Sequence, residues 1–229
     1  MAKFSLIAAA LASTNGIGKG NDLPWRLPNE MRYFQRVTTW MGRRAGSAYP
    51  PSPATNAGAN EEEAQARPPN VLIMGRKTWD SMPDGFRPLK NRVNVVLTSN
   101  AALIPDIESK STLESPTLAF TTLADALTHI ATLPHTSIFI IGGAQLYASC
   151  ITDPRCARVL LTRVTPPAEH APIECDVFFP PVPKEFARAQ DEELAAVVGP
   201  AWPAGVQKEK GFEYEFTMWT RGDEGAGEA

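Results

Sequence analysis

Glu30 lies in the stretch NGIGKGNDLPWRLPNEMRYF, residues 15 to 34, with an aromatic, Phe34, four positions further on. Residues four apart share a helix face, so carboxylate and ring would lie side by side. The apolar run Phe4 to Leu11 just before it reads as a buried strand. A carboxylate at the mouth of a strand is costly to bury unless something pairs with it. A cationic or amidine-like ligand would be such a partner. The plainer alternative is a Glu that favours a helix N-terminus through the macrodipole. For a lone Glu in a first turn that alternative wins, and only the company of Glu30 tells against it.

Four other stretches bear on anion binding. Gly16, Gly18 and Gly20 follow the first strand, but their spacing is G-x-G-x-G and a non-helical Leu23-Pro24-Trp25 comes next. A dinucleotide fingerprint needs G-x-G-x-x-G with a helix behind it. Arg76 and Lys77 stand at a strand-to-helix turn in GRKTWDSMP, where a helix N-terminus and two cations would suit a phosphate. Alone, the pair reads as a solvated basic corner. Gly142-Gly143 closes the apolar run Ser137 to Ile141 ahead of a helix from Ala144 to Cys150. Glycines there let backbone approach a pyrophosphate, though a lone Gly-Gly is weak evidence. In RPLKNR, Arg92 offers the planar fork that meets a carboxylate bidentately; alone, it reads as a surface Arg.

The totals exclude several classes. A net charge of -3 gives no reason to expect nucleic acid or a membrane surface as a partner. No apolar run approaches the roughly 18 residues of a membrane span. MAKFSLIAAALAS has a one-residue charged region and leads straight into the glycine loop, so it reads as a strand and not a signal peptide. Cys150, Cys156 and Cys175 form no C-x-x-C, and the three histidines show no metal spacing. No metal is expected, and free thiols fit a cytoplasmic location.

The elements that must position these residues alternate. Strands are expected at Val71 to Met74, Val93 to Leu97, Leu118 to Phe120, Ser137 to Ile141 and Val159 to Val164. Helices are expected from Pro28 to Met41 and from Thr122 to Leu133. Residues 210 to 221 alternate as an edge strand. Residues 100 to 116 read as loop, 42–70 and 191–207 as surface insertions, and 222–229 as a flexible tail. The pattern argues one α/β domain around a mostly parallel sheet.

The stretch around Glu30 resembles the dihydrofolate reductase family, and of a fungal kind with surface insertions. GIGKGNDLPW is similar to its mobile active-site loop and LPNEMRYF to the helix carrying its acid. GRKTWDS, RPLKNR, IIGGAQLY, CDVFFP and KGFEYEFTMWTR match later family segments in order. The resemblance implies a central twisted sheet with an antiparallel C-terminal strand and helices on both faces. It implies NADPH-dependent reduction of 7,8-dihydrofolate to tetrahydrofolate by a monomer in one-carbon metabolism. Glu30 would hold the pterin, hydrogen-bonded by Thr162, with a water admitted under Leu23 and ordered by Trp25. Ile7 or Ala8 would offer a carbonyl to the pterin. Met31, Phe34, Gln35, Met82, Leu89, Ile141 and Tyr147 would line the pocket, and Arg92 would hold the α-carboxylate of the glutamate tail.

For the cofactor, the resemblance points to Ala10, Ile17, Gly18, Asp22 and Leu23 near the nicotinamide. Gly75, Arg76, Lys77 and Thr78, with Thr98, Ser99 and Asn100, fall at the 2′-phosphate end. Ile141, Gly142, Gly143, Ala144, Gln145, Leu146 and Tyr147 fall along the pyrophosphate, with a cis Gly142–Gly143 bond. Gln145 departs from the Arg or Ser often found at its place. Two alternatives stand beside this reading: a same-fold reductase of a pyrimidine-type substrate, and a non-catalytic nucleotide-binding protein.

Overall fold

The computed structural model describes residues 2–39, 68–135, 137–170, 172–199 and 203–222. Residues 42–67 of the first expected insertion and most of the tail lie outside them. Apolar residues on both faces of the strands decide the layering. In β1 (Phe4–Leu11), Leu6 and Ala10 enter one core cluster while Ile7 and Leu11 enter the other. In β3 (Val71–Gly75), Val71 and Ile73 face one way and Leu72 and Met74 the other. Strands apolar on both faces must be covered on both faces, and parallel sheets are built that way.

The other main strands are β4 (Val93–Leu97), β5 (Thr117–Phe120), β6 (Ile138–Ile140) and β7 (Cys156–Thr165), then β9 (Phe186–Arg188), β10 (Val206–Glu209) and β11 (Phe212–Arg221). The sheet order is β10-β11-β7-β1-β6-β3-β4-β5, with β9 also pairing β11. Every pair from β7 to β5 is parallel. β11 runs antiparallel to β7, and β10 and β9 run antiparallel to β11. A separate antiparallel pair joins β2 (Gly16–Gly18) to β8 (Val177–Phe178).

One face is covered by α1 (Pro28–Thr39), α2 (Arg76–Ser81), α3 (Ile104–Glu108) and α6 (Asp191–Val198). Their Tyr33, Val37, Trp79, Ile107, Leu194 and Val198 share the cluster of Ile7 and Leu11. The opposite face carries α4 (Leu123–Ile130) and α5 (Ala144–Ile151), which bury Ala126, Leu127, Ile130, Tyr147 and Cys150.

Four expectations change. The last strand is not an edge: alternation shows which face of β11 is buried, not whether both its sides find partners. The stretch 100–116 contains α3, too short for periodicity to reveal. The surface excursion at 191–207 contains α6, closed by a capping box between Gln190 and Glu193. Its Leu194 and Val198, four apart, pack on the sheet. Finally, Asn70 belongs to the fold and not to the insertion. It is 1% exposed, donates from Nδ2 to the Thr38 carbonyl (2.9 Å) and accepts from the Val93 amide (3.0 Å).

Candidate active site

Glu30 sits in the first turn of α1 and is 6% exposed. Its Oε1 accepts a 3.0 Å hydrogen bond from the Thr162 hydroxyl on β7. Burial pushes the carboxyl from its ordinary 4.5 up to about 7; the Thr162 bond opposes the rise and the nearby Glu209 carboxylate adds to it. One stability effect follows. Between those two values the folded protein binds more protons at Glu30 than the unfolded chain does. The contribution is therefore fully present below about pH 4.5 and is lost as pH rises through about 7. It amounts to about 3 kcal/mol by linkage. Glu30→Gln should gain on the unmutated protein by that order between about pH 4 and 8, measured by urea unfolding. A difference that stays constant with pH would contradict the placement of the acid.

The same helix carries a second feature. Glu30, Phe34 and Thr38 recur every four residues and so share one face of α1. At 1.5 Å per residue, Thr38 lies about 12 Å along the axis from Glu30. The Thr38 hydroxyl accepts from Arg92 Nη1 (2.8 Å), and Arg92 Nε donates to the Lys90 carbonyl (2.8 Å). Arg92 is 4% exposed, and burial lowers its pKa to about 10, so it stays charged at neutral pH. Among the described residues it has no carboxylate partner. A buried guanidinium without one is costly. Phe34, Met82, Leu89 and Ile141 are half-buried on the same core cluster. A buried acid, an apolar wall and a buried cation thus line one side of the sheet. Met31 and Gln35, expected to line it too, are exposed.

The ends of β3 and β6 form a cradle of glycines. The Gly75 amide donates to the Gly142 carbonyl (2.7 Å), and the Gly142–Gly143 bond is cis. Gly142 has φ of 122°, open only to glycine, and a Cβ there would stand 3.4 Å from the Tyr147 ring and hydroxyl. Gly143 precedes α5, whose N-terminus has no side-chain cap. The Tyr147 hydroxyl donates to the Ile7 carbonyl (2.7 Å), which ties this turn to β1. Ala10 is fully buried.

The Gly75–Leu97 pairing sets Arg76 beside Thr98. Arg76 is ion-paired with Asp80 one turn along α2. Thr98 is buried and accepts from the Asn100 amide (3.2 Å), while the Asn100 side chain caps the turn at Ala101–Leu103. Ser99 and Lys77 are exposed. Thr78 lies against Gly142 and Gly143; Ala144 and Leu146 are half-buried, and Gln145 is exposed.

The glycine loop is held from outside, which sequence reasoning missed. Lys19 pairs with Glu174, the Gly20 amide donates to Asp176 Oδ2 (2.9 Å), and the Asp176 amide donates to the Gly18 carbonyl (3.0 Å). A Cβ on Gly16 would stand 2.4 Å from Cys175 Sγ. Arg163 donates to the Asn15 side chain (2.7 Å). Ile17 is half-buried, while Asp22 and Leu23 are exposed. Trp25 is buried, and its indole N–H has no hydrogen-bond partner among the described residues.

Parallel strands whose C-terminal ends carry a glycine turn on one face and a buried acid on the other have the layout of the nucleotide-dependent α/β enzymes. The family model for dihydrofolate reductase matches residues 3–48 and 67–198. A dihydrofolate reductase of Pneumocystis carinii is 36% identical over 96% of this chain and 97% of its own. One of Cryptococcus neoformans is 34% identical over 93% of each chain, and one of Candida albicans is 32% identical over 95% and 96%. This chain belongs to the dihydrofolate reductase family.

Proposed function

We propose that this chain reduces 7,8-dihydrofolate to 5,6,7,8-tetrahydrofolate with NADPH, serving one-carbon metabolism. The observation that carries the reading is buried Glu30 at one end of α1 and, at the other, buried Arg92 held on Thr38, which lies about 12 Å along the helix axis from Glu30. A ligand with an amidine-like head and a carboxylate tail answers both. Glu30 takes the 2-amino group and N3 of the pterin, and Thr162 holds its other side. The Ile7 carbonyl and the Tyr147 hydroxyl flank the same end. Phe34, Met82, Leu89 and Ile141 wall the ring, and Arg92 grips the α-carboxylate.

The glycine cradle suits a pyrophosphate: the backbone at Gly142 is open only to glycine, a Cβ there would stand 3.3 Å from the Thr78 hydroxyl, and the N-terminus of α5 lies behind it. When bound, the nicotinamide supplies the hydride. The protein supplies position and a proton. The unpartnered Trp25 indole is a donor that can order a water, and exposed Leu23 can close over it. Glu30 holds the site's proton below about pH 7, so reduction should slow as pH rises through that value. Steady-state rates with dihydrofolate, and with a tail-less pterin, test the reading. Dihydrofolate should be far the better substrate; equal rates would refute the role of Arg92.

Cofactor choice gives a second test. The 2′-phosphate site is formed by Arg76, Ser99 and the adjoining backbone, with Lys77 adding charge. Hydrogen bonds to charged groups contribute about 1.5–3 kcal/mol each, and a tenfold preference needs about 1.4 kcal/mol. Two such bonds, discounted for exposure and for the competing Asp80, support roughly a 100-fold preference for NADPH over NADH. Arg76→Ala should raise the NADPH KM and leave NADH nearly unchanged. Equal loss with both cofactors would contradict this phosphate site.

A further inference from the structure

The N-terminus of α1 is held by a residue from the far end of the chain. The Asn29 amide, which has no acceptor within the helix, donates to both carboxylate oxygens of Glu209 (3.2 and 3.1 Å). The neighbouring Lys210 ammonium donates to the Arg26 carbonyl (3.2 Å), just before the helix. Glu209 ends β10, and the turn to β11 is two residues, Lys210 and Gly211, both with positive φ. That is a tight hairpin of the primed type, which fixes where Glu209 points. β11 then pairs with β7 so that Phe216 faces Thr162. One hairpin thus positions both the acid and its partner: Thr162 through the sheet, and Glu30 through the helix end.

Two carboxylates therefore meet at one helix N-terminus, Glu209 outside and Glu30 inside. We propose that Glu209 is a positioning residue for Glu30: its carboxylate anchors the first turn of α1 and holds a second negative charge beside the buried acid. The proposal rests on the role given to Glu30 above. Other groups facing Glu30 are hydroxyls: Thr162 from β7, Tyr33 from α1, Tyr147 from α5 and Tyr214 from β11. Burial, with the charge of Glu30 adding to it, opposes ionisation of the three tyrosines, so they remain neutral near pH 7. The nearby cations are committed elsewhere. Lys208 pairs with Glu213, Lys210 bonds the Arg26 carbonyl, and Arg32 bonds the Asn29 side chain. Among the described residues, Glu209 is the charged group that adds to the upward shift at Glu30, which burial dominates.

The test follows the Glu30 carboxyl directly, by carbon NMR of the full chain labelled at glutamate side-chain carboxyls. Its resonance is identified by its loss in Glu30→Gln. In the unmutated protein the midpoint should lie near 7. Glu209→Gln keeps an acceptor for Asn29 but removes the charge. The midpoint should fall by a few tenths of a pH unit to one unit, the scale of one like charge at this range. Glu209→Asp should restore it. The fall of the reduction rate with pH should move by the same amount, lowering the rate at pH 8 roughly two- to ninefold. Added salt should reproduce part of the shift in the unmutated protein, because Glu209 is half-exposed, and this holds even if a variant fails to fold. A Glu30 midpoint unmoved by both Glu209→Gln and salt overturns the role of Glu209. A Glu30→Gln variant that reduces dihydrofolate normally overturns the assignment of Glu30 instead.

Discussion

Glu30→Gln is expected to slow dihydrofolate reduction by roughly 10²–10⁴ at pH 7, the usual cost of losing a general acid-base group. The substitution keeps the shape of the side chain and an oxygen for the Thr162 hydroxyl. It removes the proton store and the charge that pairs with the pterin. Folding should not suffer, because a neutral amide is cheaper to bury than a carboxylate. Lost activity with preserved or raised stability would separate a chemical role from a structural one. Single-turnover measurement of nicotinamide oxidation at several pH values reads the effect. A variant with a near-normal rate at pH 7 would sink the assignment.

Arg92→Leu should weaken dihydrofolate binding roughly 30- to 1000-fold, the scale of losing one partner of a buried, hydrogen-bonded charge pair. NADPH affinity should hardly move, since Arg92 lies at the far end of α1 from the glycine cradle's Tyr147 and its Ile7 contact. Stability should hold or rise, because an apolar side chain replaces a buried cation that has no carboxylate partner among the described residues. Arg92→Lys should rescue little, as an ammonium cannot reproduce the two-pronged grip. Calorimetric titration with each ligand separates the outcomes. Equal loss of both affinities would show that Arg92 supports the fold and not the tail.

Much of this was legible in the sequence, for physical reasons. Runs such as VLIM and VNVVL announce strands covered on both faces, and the order of strands and helices fixes a parallel sheet. Glu30 stood out through Phe34 four positions on, but its contact with Thr162 was legible only through resemblance, since the two lie 132 positions apart and meet through β7. What stayed hidden was mostly pairing across the chain. Nothing local in Glu174, Asp176 or Glu209 marks them as partners of residues near the N-terminus. The edge assignment of β11 failed for the same reason. Alternation reports a face, and a neighbouring strand leaves no mark on it. α6 was hidden differently. Its DEE opening reads as surface charge, but it is the acidic first turn a helix favours, with Leu194 and Val198 as the apolar stripe behind it.

The most direct measurement uses NADPH carrying deuterium at the transferable position of the nicotinamide, one turnover with dihydrofolate, and mass analysis of the product. The account predicts tetrahydrofolate that has gained one deuterium on carbon, with an equal amount of oxidised cofactor, and almost none from the Glu30→Gln protein in the same time. Cofactor oxidation without deuterium in the pterin, or no turnover by the unmutated protein, would contradict it.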